Sequence, residues 1–245
     1  MQINEKIILI ICEEMNIIVT GGSRGIGKQI ALYLAGDKNN NVLITGRDQI
    51  SLFKIYDSSE HKNIKYLIYD FSKLSQTAEI FKNQVKSVFD SVDILINNAG
   101  SLYSKSFLET SEKQAREMME VNFFAPMLII RTLLDMMNNG AHIVNVSSMG
   151  GFQGSVKFPG LSFYSASKAA IGCISECLAS EFKEMGISIN CLALGSVQTE
   201  MLEEAFPGYK APVLASEMGK FIGDFALNGN RFFNGKIIPV ALTTP

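Results

Sequence analysis

Seven short apolar runs, separated by longer helix-like stretches, constrain the fold of this 245-residue chain more than any other feature. The runs are rich in Ile and Val and apolar nearly throughout, as strands covered on both faces of a parallel sheet should be. We predict strands at residues 15–20, 42–45, 66–70, 93–97, 142–147, 187–193 and 236–240. We predict helices at residues 26–35, 48–56, 75–89, 112–137, 162–185 and 216–227. The alternation predicts an α/β fold, a single-domain doubly wound parallel sheet with helices on both faces.

Composition and charge exclude several classes of protein. Hydrophobic residues make up 47% of the chain and charged residues 19%, which is enough to bury a large core and excludes a disordered chain. The 22 Lys and Arg against 24 Asp and Glu leave no basic field for a phosphate backbone, so we expect no nucleic-acid partner. Four cysteines without a CxxC pair, and only two histidines, predict reduced thiols in a cytoplasmic protein and no metal site.

Residues 1–14 precede the first predicted strand. Their apolar run, residues 7–12, is too short for a membrane span or a signal segment, so no membrane association is predicted. We interpret residues 1–14 as an extension of uncertain role, either a short extra strand or a loose tail, and expect it to be dispensable. The functional domain is then predicted to cover residues 15–245.

A glycine-rich segment, TGGSRGIG at residues 20–27, follows the first predicted strand and leads into a helix. Glycine at 21, 25 and 27 lets the backbone turn tightly and approach a pyrophosphate held at the helix N-terminus. The spacing GxxxGxG differs from the general GxGxxG dinucleotide fingerprint. The same segment also fits the G-x-S-x-G elbow of hydrolases, but that mechanism needs a histidine late in the chain, and the last one is His142.

Tyr164 and Lys168 form the segment YSASK near the start of a predicted helix. Spacing of i and i+4 puts both side chains on one face, about 6 Å apart along the axis. A nearby ammonium is expected to lower the tyrosine pKa and make proton exchange feasible. Ser148 ends a strand sixteen residues earlier, so the hydroxyl can meet this pair. Asn122, polar among apolar neighbours, is interpreted as a kink-stabilising amide or as part of a proton path.

These segments, together with NNAG at 97–100 and GSVQT at 195–199, occur in an order that resembles the short-chain dehydrogenase/reductase family. The resemblance covers residues 15 to about 240 and implies an NAD(P)-binding Rossmann fold. It implies that Tyr164 is the general acid or base and that Ser148 hydrogen-bonds the substrate oxygen. It further implies that Lys168 holds the nicotinamide ribose and lowers the tyrosine pKa, while Asn122 supports a proton-relaying water.

The resemblance also implies a set of cofactor-binding residues, with Asp70 near the adenine and Thr199 near the carboxamide. The residues it implies are Gly21, Ser23, Arg24, Ile26, Asp70, Asn97, Gly100 and Thr199. The predicted cofactor site also includes Gly25, Gly27, Arg47, Tyr164, Lys168 and Val197. NAD-binding folds place an acid at the end of the second strand, whereas this strand ends with Arg47. Arg47 and Arg24 could bind a 2′-phosphate, so NADP(H) is expected to be preferred, with NAD(H) possible.

Three features depart from the family pattern and concern the shape of the substrate pocket. Leu194 stands where proline is usual, the C-terminal segment lacks Asp-Gly-Gly, and the stretch between Ser148 and Tyr164 is a few residues longer than is common. Five aromatic residues are expected at the pocket mouth and favour an apolar or ring-bearing ketone. They are Phe152, Phe158, Phe163, Phe206 and Tyr209.

The leading functional hypothesis is therefore an NADP(H)-dependent oxidoreductase acting on a small carbonyl/alcohol substrate. One alternative is an enzyme like the 3-oxoacyl-carrier-protein reductases, which use arginines near the end of the long helix before the serine strand to hold an acidic carrier. Residues 137–142 contain no Arg or Lys, and Ser180 stands where a second cation is expected, which disfavours this alternative. The other alternative is a non-catalytic dinucleotide-binding regulatory protein. The resemblance also implies a homo-oligomer, a tetramer or a dimer, paired through helices 112–137 and 162–185.

Overall fold

The computed structural model describes residues 14–242 of the chain. The predictions made for the extension, including the dispensability of residues 1–14, lie outside these residues except at Glu14. None of the helices between residues 14 and 242 is both long enough and apolar enough to cross a membrane.

Within residues 14–242 the strands are β1 Met15–Thr20, β2 Asn40–Gly46, β3 Ile64–Ile68, β4 Val92–Asn97, β5 Met137–Ser148, β6 Ser188–Leu194, β7 Val197–Gln198, β8 Val213–Leu214 and β9 Lys236–Val240. Seven of them form one parallel sheet in the order β3-β2-β1-β4-β5-β6-β9, and the short strands β7 and β8 pair separately. The helices are α1 Gly25–Leu34, α2 Gln49–Ser58, α3 Leu74–Lys86, α4 Glu112–Met119, α5 Ala125–Leu133, α6 Ser162–Glu181, α7 Glu200–Ala205 and α8 Ala215–Asn228. The predicted doubly wound Rossmann fold is confirmed.

Strand β1 shows why the central strands are apolar at nearly every position. Ile17 and Val19 point into a core shared with α1, α2 and α8, whereas Ile18 points into a second core shared with α3, α5 and α6. All three side chains are fully buried, because both faces of the sheet are covered by helices. The strand order reverses between β1 and β4, which is where α/β sheets of this kind bind ligands.

The helix predicted over residues 112–137 is wrong in its extent. The chain forms α4, a π-helical segment at Glu120–Phe124, α5 and a 3-10 turn at Leu134–Met136, and Met137 already belongs to β5. Pairing between β4 and β5 shifts register after Met137, so the intervening residues bulge out and Gly140 takes a φ of +91°. Strand β5 therefore begins several residues before its apolar run, because residues can pair through their backbone groups while their side chains stay exposed.

Helix α7 and the β7–β8 pair were not predicted. Each is too short for a periodic hydrophobic pattern, and they follow β6 in the stretch that covers one end of the sheet. Thr199 begins α7 by accepting a hydrogen bond from the Leu202 N–H at 3.2 Å, which is the N-cap arrangement preferred by threonine.

Candidate active site

A cleft of about 780 Å³ opens at the carboxyl ends of the central strands. It brings together most of the residues singled out in the sequence. Those that line it are Gly21, Ser23, Arg24, Gly25, Ile26, Arg47, Asp70, Gly100, Ser148, Tyr164, Lys168, Val197 and Thr199. Gly27, Asn97 and Asn122 lie outside the lining.

The glycine-rich loop forms one end of the cleft. Gly21 has a φ of +69°, and a Cβ atom there would lie 2.8 Å from the Ala99 Cα, so the loop can approach its neighbour only with glycine. Helix α1 follows with Arg24 at its N-cap and no side chain capping its first N–H groups. An uncapped helix N-terminus that faces a cleft fits the phosphates of a dinucleotide.

The NNAG segment is tied to the glycine-rich loop by hydrogen bonds that the sequence did not reveal. The Thr20 hydroxyl accepts the N–H groups of Asn98 and Ala99, both at 3.0 Å, and the Asn98 amide donates to the Thr20 carbonyl at 3.0 Å. Asn97 instead turns beneath the cleft and donates to the Asn145 side chain at 2.8 Å. Asn98 therefore lines the cleft and Asn97 does not. The only sequence signal for Asn98 was its position within the NNAG segment, next to the predicted residues.

At the end of β2, Arg47 is exposed beside the cleft, and no ion pair within residues 14–242 involves it. The neighbouring Asp48 turns away and caps α2, accepting the Ile50 N–H at 3.0 Å. Asp70 accepts from the N–H and hydroxyl of Ser72 at 3.1 and 2.8 Å. This end of the cleft therefore offers a free guanidinium and no carboxylate directly at the strand end.

Arg24 is engaged differently from Arg47. Its guanidinium pairs with the Glu204 carboxylate of α7, and a second bond between the same two groups measures 3.3 Å. The predicted pair of arginines thus reaches the cleft, but only one of them is unpaired among the described residues.

Ser148, Tyr164 and Lys168 converge at the other end of the cleft from β5 and α6. The Lys168 ammonium is almost fully buried, donates to the Val146 carbonyl at 2.8 Å and lies 6.0 Å from the centre of the Tyr164 ring. The Ser148 hydroxyl lies near enough to Tyr164 to affect its pKa, and it accepts the Gly150 N–H at 3.1 Å. Ser147 fixes the helix against the strand, because its hydroxyl donates to the Lys168 carbonyl at 2.6 Å.

The protonation equilibria of this trio differ from the sequence-based expectation. Burial raises the pKa of the Tyr164 phenol, and the Ser148 hydroxyl opposes this rise with a smaller effect. Burial likewise lowers the pKa of Lys168 to about 8. The expected lowering of the Tyr164 pKa is not found, because loss of water outweighs an ammonium that is bonded to a backbone carbonyl.

Asn122 lies in the π-helical segment and is fully buried. Its amide nitrogen donates to the Ser101 carbonyl and to the Ser167 hydroxyl, both at 2.9 Å, and its oxygen accepts the Ser101 N–H at 2.8 Å. These bonds hold the loop after NNAG against α6. The hydrogen bonds of Asn122 therefore join separate elements, and both the kink-stabilising role and the proton-relay role stay predictions.

Comparison with known proteins places this geometry in a family. The sequence model of the short chain dehydrogenases matches residues 15–210. The chain belongs to the short-chain dehydrogenase family. It is 32% identical over 208 residues to dehydrogenase/reductase SDR family member 7B of Danio rerio, covering 78% of this chain and 64% of that protein's length. It is 31% identical to a 3-oxoacyl-[acyl-carrier-protein] reductase of Aquifex aeolicus, covering 82% and 83%.

A solved structure supports the same assignment. A short chain dehydrogenase from Burkholderia cenocepacia in complex with NADP superimposes with a TM-score of 0.83 at 25% identity. The comparison covers 94% of this chain and 97% of that one. The chain thus matches this family both by sequence and by fold.

In this short-chain dehydrogenase, part of the cleft lining forms an apolar wall. It is formed by Met149, Phe158, Leu161, Leu194, Met201, Phe206, Tyr209, Val240, Ala241 and Leu242. Phe152 and Phe163 were expected at the mouth but do not line the cleft, and Phe163 stacks on Phe107 with ring centres 5.3 Å apart. Leu194, in place of proline, extends β6 so that it pairs with Ser148 on one side and Val240 on the other.

Proposed function

We propose that this short-chain dehydrogenase transfers hydride between NADP(H) and a small carbonyl/alcohol substrate, with Tyr164 as the general acid or base. The observation that carries the proposal is the placement of Ser148, Tyr164 and Lys168 in the same cleft as the glycine-rich loop. A cofactor held by that loop supplies the hydride, and this chain's residues handle the proton and the developing charge.

In the reduction direction, Tyr164 gives its hydroxyl proton to the carbonyl oxygen while Ser148 donates a hydrogen bond to the same oxygen. The raised pKa of Tyr164 keeps the phenol protonated at neutral pH, which is the form that a general acid needs. Lys168, with a pKa of about 8, carries its proton at neutral pH and favours the phenolate left after transfer. Lys168 would also hold the nicotinamide ribose, and Gly21, Ser23 and Thr199 would line the cofactor.

The preference for NADP(H) rests on the end of β2. Arg47 is free to bind a 2′-phosphate, and the neighbouring Asp48 carboxylate is committed to capping α2. A guanidinium binds phosphate through charge-assisted, two-point hydrogen bonds. NAD(H) remains a possible second cofactor in this proposal.

The substrate class follows from the apolar wall of the cleft described above, which we call the substrate wall. Phe158, Phe206 and Tyr209 remain in the lining, together with aliphatic residues of β6 and of the segment after β9. Such a wall favours a free apolar or ring-bearing ketone over a charged substrate.

The test is the variant Tyr164→Phe, which removes the hydroxyl and keeps the ring. With saturating substrate, kcat should fall by orders of magnitude while the dissociation constant for NADPH, measured by calorimetry, changes little. Near-normal kcat would remove Tyr164 from the mechanism. A wild-type chain that binds NADPH but reduces none of a broad panel of ketones would favour the non-catalytic regulatory alternative.

Reduction of a carrier-bound 3-oxoacyl group is the second candidate. It is supported by the Aquifex aeolicus relative and by Arg131, an exposed cation in the last turn of α5. The sequence argument against a carrier did not count Arg131, because it placed the helix end at residue 137. Catalytic efficiency on a carrier-bound substrate against free cyclic or aromatic ketones separates the two candidates.

We further propose that residues 15–245 act as one functional unit, with residues 1–14 as an extension. The protein is proposed to work in the cytoplasm, as its cysteine pattern indicates, and as a homo-oligomer, as the family resemblance implies.

A further inference from the structure

An ion pair joins two parts of the chain that lie 180 positions apart. Arg24 belongs to the glycine-rich loop, and Glu204 belongs to α7, which the sequence did not predict. The hydrogen bond with Glu204 is the main cause that raises the pKa of Arg24, and the same bond lowers the pKa of Glu204. Both side chains are partly exposed, at 49% and 63%, so the pair can open without unfolding the protein.

The start of α7 is also in contact with the glycine-rich loop. A Cβ atom built on Gly25 would lie 3.5 Å from a carboxylate oxygen of Glu200, and the charge of Glu200 acts on Arg24 as well. Glu200 and Glu204 are four residues apart and therefore lie on one face of α7. Arg24 thus faces two carboxylates, which together offset its single positive charge.

Arg24 and Arg47 are the two arginines that line the cleft within the described residues. Arg47 has no ion pair among these residues, whereas Arg24 is held by Glu204. A phosphate group that reaches Arg24 has to compete with a carboxylate that is already in place. A cofactor that lacks the 2′-phosphate meets no such competition.

We propose that Glu204 is a specificity-determining residue, which limits the preference for NADP(H) by holding the Arg24 guanidinium on α7. The inference rests on the proposed NADP(H)-dependent function. When a 2′-phosphate replaces Glu204 as the partner of Arg24, α7 loses its ion pair with the glycine-rich loop. Met201 and Leu202 of α7 line the same cleft, so this release also affects the substrate wall. NADH leaves the Arg24–Glu204 pair intact.

The experiment compares the dissociation constants of NADPH and NADH, measured by calorimetry, for the wild type and Glu204→Gln. The variant should bind NADPH about two- to five-fold more tightly, the range expected for one exposed ion pair, and should bind NADH unchanged. Glu203→Gln is the matched control, because Glu203 lies on the same helix and accepts the Gly208 N–H at 3.1 Å instead of contacting Arg24. It should leave both constants unchanged.

A second comparison places Glu204→Gln in an Arg24→Gln background, where the gain in NADPH affinity should disappear. Equal effects on both cofactors, weaker NADPH binding, or a gain that survives without Arg24 would each overturn the inference while leaving the proposed function standing. If the wild type binds neither cofactor, the proposed function fails and the inference falls with it.

Discussion

At the end of β2, Arg47 extends into solvent while Asp48 turns its carboxylate back onto the start of α2. Arg47→Asp replaces the free cation with an acid at the position where NAD-binding folds carry one. NADPH affinity should fall about tenfold or more, since a hydrogen bond to a charged group contributes about 1.5–3 kcal/mol. NADH affinity should change far less.

The control for this prediction is Lys54→Asp. It makes the same change of charge on the exposed side of α2, away from the residues that line the cleft. If both variants weaken NADPH and NADH to the same degree, the effect is one of overall charge and Arg47 does not recognise the 2′-phosphate.

The residues of the candidate site could be predicted from the sequence where their spacing along one helix or strand fixes their relative positions. Tyr164 and Lys168 share a helix face, and Ser148 ends the strand beside it, so their meeting was predictable. The raised pKa of Tyr164 was not, because desolvation depends on the packing of distant segments. The pairing of Arg24 with Glu204 was equally hidden, because nothing in the sequence relates positions 180 residues apart.

Among the helices, α1 and α8 approach each other closely through two glycines of α8. A Cβ atom at Gly219 would lie 2.8 Å from the Gln29 backbone carbon, and one at Gly223 would meet the ring of Tyr33. Gly219→Ala should lower the free energy of unfolding by about 1–3 kcal/mol, because the backbone of α1 has to move. Urea unfolding measures this loss.

Helix propensity alone predicts the opposite result for Gly219→Ala, so the experiment separates the two effects. Alanine is favoured over glycine within a helix by about 1 kcal/mol, so a helix free of close contacts would gain stability from the change. Ser216→Ala, on the exposed side of the same helix, should stay within about 0.5 kcal/mol of the wild type. A more stable Gly219→Ala variant would show that α1 and α8 have room between them.

Elements with a long apolar pattern could be predicted, and those without one could not. The seven strands of the main sheet were found because each contains an apolar run, although the edge strands β3 and β9 are only partly buried. The stretch 112–137 was predicted as one helix, although Pro126 lies within it, in the first turn of α5 after the π-helical segment. Helix α7 has six residues and leaves no periodic signal, although it carries part of the substrate wall.

For the molecule as a whole, His142 makes stability depend on pH. The ring is buried between β6 and α8, where Nδ1 donates to the Ala226 carbonyl at 2.9 Å and Nε2 accepts from the Asn190 amide at 3.0 Å. Burial lowers the pKa of His142 to about 4, from 6.5 in the unfolded chain. Between these values the unfolded chain binds a proton that the folded chain does not, so stability falls as the pH falls.

Urea unfolding should therefore show a loss of about 2 kcal/mol between about pH 8 and about pH 5. His142→Gln should be less stable at neutral pH but should lose this dependence, whereas His61→Gln, at an exposed position, should keep it. A wild type that is equally stable at both pH values would contradict the assignment of a neutral, buried His142.

The position of β9 has a consequence for synthesis on the ribosome. The substrate wall includes Val240, the last residue of β9, and the two residues after it, and β9 pairs with β6 at the edge of the sheet. While these residues are still being added, β6 is an unpaired edge with its backbone groups open to any other extended chain. We therefore expect the nascent protein to be most prone to aggregation after β6 and before β9 has left the ribosome, when the glycine-rich loop is complete and the substrate wall is not.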